Sequence, residues 1–178
     1  PIAYRDFGPM GVNPLKNPVS VDVITWDWGK YLGEEALEKG VEMQISSWQR
    51  NATNTTPSIA KCAANYASGA LIKMEAISNG FSEGIGLDVS GNLSEGSGEN
   101  IFMVRDGVVQ TPGISHSILS GITRDTVIKL ARELNIPMLE RTISRAELYT
   151  ADEVFACGTA AEITPVRAID HITIGAGA

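Results

Sequence analysis

Between residues 83 and 111 the chain reads "EGIGLDVSGNLSEGSGENIFMVRDGVVQT", short apolar runs cut at near-regular intervals by glycine-bearing turns. Runs of that length bounded by such turns predict strands, and the Asp106-Gly107 pair between two of them is a hairpin signal. The stretch therefore predicts an antiparallel meander. "VSVDVITWDW" (19–28), "VEMQISSWQ" (41–49), "EVFACGT" (153–159) and "AEITPVRAI" (161–169) add further strand patterning. Helices are fewer. "GEEALEKG" predicts a short one closed by glycine, and an Ala-rich helix runs from about Ala60 to Asn79 with Ala63, Ala67, Ala70, Leu71, Met74 and Ile77 at spacings of three and four. Its narrow side chains imply a close backbone approach. Another helix spans Thr123 to Leu134 with Val127, Leu130, Ala131 and Leu134 on one face. "SRAE" announces a fourth, with Ser144 and Glu147 forming a capping box. Strands outnumber helices and hairpins join them, so the expected class is α+β, a mostly antiparallel, barrel-like sheet with flanking helices.

At 178 residues, 43% hydrophobic and 20% charged, the chain is long enough to bury a real core. It is expected to form a single domain over residues 1–178. The net charge of −7 comes with scattered basic residues, which argues against nucleic acid as a partner. Cys62 and Cys157 cannot make a disulfide framework and lack the neighbours of a zinc site, which suits a reducing cytoplasm. No apolar run approaches the ~20 residues a bilayer-spanning helix needs, so no membrane role is expected. The first residues, "PIAYRDFGPMGV", read as an apolar segment already inside a fold, and "HITIGAGA" stops just after a strand-like pattern. The expectation is a piece of a longer chain, truncated at both ends.

Four places offer chemistry. Lys61 sits among Ala, Ser, Cys and Gly in "SIAKCAANYASGALIKMEA", which leaves its amine facing open volume; read alone it is equally a solvated lysine. On one regular helix Lys61 and Tyr66 point about 140° apart, so they meet only if the helix begins after the lysine. Glu95, in "LSEGSGENIF", is either a surface turn residue or a carboxylate carried toward the interior by a glycine-loosened turn, with Glu99 and Asn100 as competitors. Gly121, Ile122 and Thr123 open a helix, where free N–H groups and a hydroxyl make an anion site, as any capped helix start does. Gly158, Thr159, Ala160 and Ala161 follow a strand and expose backbone N–H groups. His116 and His171 lack catalytic partners and are expected to be solvated. There is no phosphate loop, no complete dinucleotide fingerprint and no nucleophile elbow.

Pyridoxal phosphate requires an amine for its aldehyde, a carboxylate for its ring nitrogen, a hydroxyl near its phenolic oxygen and an anion cup for its phosphate. Lys61, Glu95, Tyr66 and the Ile122-Thr123 helix start supply these in order. "SSWQRNATNTTPSIAKCAANY", "LSEGSGENIF", "SGITRDTVIKLA" and "YTADEVFACGTAAEITPVRAID" together resemble the consecutive motifs of the branched-chain amino acid aminotransferases, fold-type IV pyridoxal phosphate enzymes, over nearly the whole chain.

The resemblance implies roles. Lys61 matches the lysine that links to the cofactor and later moves the substrate proton, with burial among alanines expected to keep its amine neutral. Tyr66 matches the tyrosine on the phenolic oxygen, and Glu95 the carboxylate paired with the pyridine nitrogen. Gly121, Ile122, Thr123 and Thr159 match positions around the phosphate; Thr159 and Ala160 also meet the substrate carboxylate. Trp28 and Tyr31 resemble the aromatic wall of the side-chain pocket, with Val12 nearby. The implied reaction is transfer of an amino group between leucine, isoleucine or valine and 2-oxoglutarate, small amino and 2-oxo acids being the partners, in a homodimer or higher homo-oligomer. Family members carry an N-terminal domain with two further arginines, so little turnover is expected of these 178 residues alone. Rival readings are a D-amino acid aminotransferase, an aminodeoxychorismate lyase, or a non-catalytic binding domain with Lys61 on its surface.

Overall fold

In the computed structural model, which describes residues 1–177, the alternation of half-buried strands is doubled. Along Asn100–Arg105, Ile101 and Met103 enter one core while Phe102 enters another, as the two-residue period of a strand dictates. The chain opens with a hairpin of β1 (Ile2–Arg5) and β2 (Val19–Asp22), which pair only with each other. Helix α1 (Ala36–Lys39) ends at Gly40, where a φ of 68° suits glycine, and leads into β3 (Val41–Gln49). A polar loop and a 3-10 turn (Ala63–Asn65) precede α2 (Tyr66–Ser78). There follow β4 (Glu83–Leu87), β5 (Leu93–Gly96), β6 (Asn100–Arg105), β7 (Val108–Thr111), α3 (Ile122–Glu133), β8 (Met138–Glu140), α4 (Arg145–Leu148), β9 (Glu153–Gly158), β10 (Glu162–Ile169) and β11 (Ile172–Thr173).

Strands β3 to β11 form one mixed sheet in the order β5-β4-β3-β10-β9-β6-β7-β8, with β11 on the side of β10. Antiparallel pairings predominate, but β3 with β4, β3 with β10 and β7 with β8 are parallel. β10 joins the two halves: Glu162–Pro165 pair with β9, and from Val166 onward the strand pairs with β3. Pro165 stands at that transition, where a residue without an N–H disturbs the ladder least. The sheet curls until its ends meet, because the Leu93 N–H of β5 donates to the carbonyl of Ile143, just past β8, at 2.8 Å and Asn92 bridges to Ser144. Met43, Ile45, Ile85, Leu93, Ile101, Met103, Ile143, Ala156 and Ile169 fill the interior. Outside it, Phe102 stacks on Phe155 at 5.0 Å between ring centres, and with Cys157 they receive Ile128 of α3. Burial pushes the Cys157 thiol up to about 12.

Helix α2 lies on β3 and β4 because β4 gives it room. A Cβ on Gly84 or Gly86 would come within 2.6 to 2.8 Å of the Ile72 side chain, and one on Gly69 would run into the carbonyl oxygen of Ser97. The close approach expected of this helix thus occurs, but at Gly69, Ile72 and Ala76. Leu71, Met74 and Ile77, expected on the packed face, are exposed. In α3 likewise, Arg124, Ile128 and Ala131 are buried while Leu130 and Leu134 are exposed.

Several expectations need correction. β2 ends at Asp22, so residues 23–28 are not strand. The meander exists only as the separate β4–β5 and β6–β7 hairpins, since β6 pairs with β9 rather than β5. In the opening segment, Phe7, Met10 and Val12 are fully exposed or nearly so. His116 is not solvated; its Nδ1 lies 2.7 Å from Asp88 and its Nε2 3.0 Å from Thr142 Oγ1. His171 is exposed as expected, although it sits 2.5 Å from Glu42 and stacks on Phe81. The capping box of α4 is present as expected.

Candidate active site

Lys61 and Tyr66 meet because the helix begins after the lysine. Cys62 is extended, the 3-10 turn starts at Ala63 and α2 at Tyr66, so the lysine folds back and its Nζ lies 2.6 Å from the Tyr66 hydroxyl. Asn65 fixes this geometry. Its buried amide donates to the carbonyls of Pro57 and Ala60, both at 3.0 Å, and its oxygen accepts from Asn51 at 3.2 Å and Thr56 at 2.7 Å. One side chain thereby ties the polar loop to the helix start. The expected burial of the amine does not occur: Lys61, Ala63, Ala64 and Ala67 are all exposed.

Glu95 is no turn residue but part of β5, and only 6% exposed. Arg50, at the end of β3, donates to its Oε1 at 2.7 Å, while Asn100 (3.2 Å) and the Leu119 N–H (2.8 Å) donate to its Oε2. Burial pushes the carboxyl up from its ordinary range, and Arg50 first, then Leu119, pull against that shift. The Lys61 ammonium acts on it in the same downward direction, so the amine and the carboxylate belong to one electrostatic neighbourhood.

The same contacts fix the start of α3. Asn100 holds the Leu119 carbonyl at 2.9 Å as well as Glu95, and Ser94 holds the carbonyl of His116 at 2.5 Å. Gly121 is the residue before the helix and has no side chain to cap it; a Cβ there would collide with the Asn100 amide oxygen. The first N–H groups of α3, at Ile122 and Thr123, are therefore left for an external acceptor. Ile122 is exposed and Thr123 half-buried.

Thr159 and Ala160 are exposed in the turn between β9 and β10. Ala160 shares a small recess with Tyr31, Leu32 and Thr164, closed on one side by the Lys30–Glu162 ion pair at 3.0 Å. Tyr31 meets Trp28 edge-on at 5.7 Å and its hydroxyl borders Gly98, whose carbonyl borders Gly158. Lys61, Tyr66, Glu95 and the start of α3 thus form one group, and Tyr31, Trp28 and Ala160 a second. Val12 joins neither, standing fully exposed in the loop between β1 and β2. An open groove of about 900 Å³ lined by residues 149–155, 163, 165–167 and 173–175 shares none of these residues.

Arg50 and Asn65 were not legible as site residues. A buried guanidinium and an amide paired with partners far along the chain leave no local pattern, and the one available hint is an arginine directly after an apolar strand. The donor set fits a flat, anionic aldehyde cofactor: a primary amine beside a phenol, a buried carboxylate with an arginine behind it, and an uncapped helix start tied to that carboxylate. Among the described residues no cluster suits a metal ion, and no helix is long and apolar enough to cross a membrane.

Comparison with known proteins identifies the family. The amino-transferase class IV family model matches residues 4–169. The branched-chain-amino-acid aminotransferase of Escherichia coli K12 is 55% identical over 170 residues, covering 94% of this chain and 55% of that protein. The chain therefore spans little more than half the length of that relative. The crystal structure of the Escherichia coli branched-chain amino acid aminotransferase superposes with a TM-score of 0.92 at 54% identity, covering 95% of this chain and 56% of the other. The branched-chain amino acid aminotransferase from Thermobaculum terrenum, in its PLP-form (holo-form), gives 0.74 at 43% identity, with 76% of this chain and 44% of the other covered.

Proposed function

The chain belongs to the class IV amino-transferase family, and from that premise we propose that residues 1–178 are the cofactor-carrying domain of a pyridoxal phosphate-dependent branched-chain amino acid aminotransferase. The observation that carries this reading is the Lys61 amine held 2.6 Å from the Tyr66 hydroxyl in the electrostatic reach of the buried Glu95. Pyridoxal phosphate, when bound, supplies the electron sink that makes a substrate Cα–H acidic.

The chain's own residues do the rest. Lys61 presents the amine that anchors the cofactor aldehyde and then carries the proton at Cα. Tyr66 holds that amine and the neighbouring phenolic oxygen in register. Glu95 would meet the ring nitrogen, and Arg50 behind it would keep the carboxylate available as an acceptor. Thr123, the N–H groups of Ile122 and Thr123, the backbone at Gly121, and Thr159 receive the phosphate. Thr159 and Ala160 offer N–H groups to a substrate carboxylate, and Trp28 with Tyr31 walls an apolar side chain; Val12 reaches that wall only if its loop folds over it. The substrates are leucine, isoleucine or valine with 2-oxoglutarate, turned over by the whole protein as a homo-oligomer.

The test is chemical. After incubation with pyridoxal phosphate and borohydride reduction, peptide mass mapping is expected to find the pyridoxyl adduct on Lys61, and none at that peptide in Lys61→Ala. An adduct spread over the surface lysines, or on a different single lysine, overturns the reading.

A further inference from the structure

Behind Tyr31 lies a cluster of ionisable groups that transamination leaves without a task. Glu83, the first residue of β4, is fully buried, and Glu99, just before β6, is 3% exposed. Glu83 Oε2 accepts from Lys73 of α2 at 2.8 Å, and its Oε1 accepts from the Gly84 N–H at 2.7 Å. Glu99 Oε2 accepts from the Gly98 N–H at 3.1 Å, whereas Glu99 Oε1 is buried with no hydrogen-bond partner among the described residues. The backbones that carry them are joined, the Ser97 N–H donating to the Gly84 carbonyl at 3.1 Å, and the Glu83 carboxylate acts on Glu99 both by its charge and as a hydrogen-bond partner. Two buried carboxylates that close repel, and one proton turns the repulsion into a hydrogen bond. It also answers the orphaned oxygen, since a buried polar atom without a partner is rare.

The cluster faces the pocket wall. Lys73 Nζ lies 5.6 Å from the centre of the Tyr31 ring, and the Tyr31 hydroxyl borders Gly98, whose N–H holds Glu99. The Cys157 thiol of β9 is kept neutral by burial first, with the Arg124 charge pulling the other way and the Glu99 charge adding to the upward shift. Tyr31 is pushed up to about 12 by burial first, then by the Glu99 and Glu83 carboxylates. Glu99 is pushed up to about 8 by burial first, then by Glu83.

We propose that Glu83 and Glu99 share a single proton, and that this acid pair, balanced by Lys73, is the positioning element that holds Tyr31 and keeps its wall neutral for an uncharged substrate side chain. The role toward substrate rests on the transaminase reading; the shared proton does not. With one proton held, one negative charge faces one ammonium. When Glu99 releases that proton to solvent, a second negative charge appears behind Tyr31 and the wall turns against a carboxylate-bearing substrate. The stability effect has a definite sign. The folded chain holds a proton that the unfolded chain has lost, so stability falls as pH rises from the ordinary 4.5 to about 8.

Carbon NMR of the chain labelled with carboxyl-¹³C glutamate is expected to show one resonance with a midpoint near 8, absent from Glu99→Gln. That variant keeps the uncharged shape, so its thermal midpoint is expected to match wild type at about pH 5 and exceed it at about pH 9. Removing the nearby charge is also expected to let Tyr31 ionise at lower pH, read by tyrosinate absorbance and assigned with Tyr31→Phe. In the full-length protein carrying this chain, Glu99→Gln is expected to flatten a rise in KM for the acidic substrate above about pH 8. If Glu99→Gln does not fold, the wild-type resonance and Glu83→Gln carry the same test. No glutamate titrating above about pH 6 overturns the shared proton. Identical Tyr31 titration in wild type and Glu99→Gln overturns the positioning role. An intact proton titration without any turnover overturns the role toward substrate alone.

Discussion

Arg50 links the end of β3 to β5 and to the start of α2. It is 7% exposed, reaches Glu95 at 2.7 Å and Ser68 at 3.1 Å, and spans the space between the end of β3 and the start of α2. Removing it strands a buried carboxylate, so Arg50→Ala is expected to cost about 3–5 kcal/mol in urea unfolding at neutral pH, with Arg50→Ala/Glu95→Gln recovering part of the loss. An additive double variant would deny the coupling. At the start of α4, Glu147 is pulled down to about 2, by Arg141 first and the Ser144 N–H next. A carboxylate held below its ordinary 4.5 stabilises the fold above that value and loses the effect as pH falls toward 2. Glu147→Gln is accordingly expected to be less stable than wild type by about 1 kcal/mol at neutral pH, with the two thermal curves converging in acid. Lys61, Tyr66 and Glu95 stood out because their residue types together suit one cofactor and lie in motifs that resemble a known family. Arg50 lies 45 residues before Glu95 in the chain, and a contact made across that distance has no signature in either neighbourhood.

At the scale of elements, strand positions were legible and helix faces were not. β3 spans Val41–Gln49, the run that alternation marks out, and α4 begins at the residues its capping box requires. Helix α2 misleads because its packed side is built from a glycine, an isoleucine and an alanine, while larger apolar residues face outward. Periodicity weighs side chains by hydropathy, but docking here is decided by how near two backbones come. Gly69→Ala tests this. Alanine favours a helix by about 1 kcal/mol over glycine, yet the added methyl runs into the Ser97 carbonyl, so the variant is expected to be less stable than wild type in chemical denaturation. A gain in stability would mean that α2 can retreat from β4 freely.

The whole molecule leaves much apolar surface uncovered. Ile2, Val19, Val21, Trp26 and Trp28 around the β1–β2 hairpin are exposed, as are Met74 and Ile77 on α2. A surface of this kind promotes association. Sedimentation of the 178-residue chain is expected to depend on concentration, and Met74→Glu with Ile77→Lys is expected to weaken that dependence; a concentration-independent monomer would contradict it. β3, β4 and β5 lie side by side with α2 on them, and Asn100 ties Glu95 to Leu119, which gathers such distant segments as residues 50, 61, 95 and 121 at one place before the sheet closes on itself. No local pattern announces that closure, which depends on the contact between Leu93 and Ile143.

Glu95 and the first turn of α3 are not independent fixtures, because the Leu119 N–H grips the carboxylate at 2.8 Å and the helix opens three residues later at Ile122. A short piece of backbone therefore serves as a calliper with a jaw at each end, set by covalent geometry. Lengthening it by one residue after Ser120 leaves both jaws chemically intact but spoils the gap. On the proposed reading, such an insertion is expected to weaken retention of phosphorylated pyridoxal far more than that of pyridoxal itself, which would need one jaw alone.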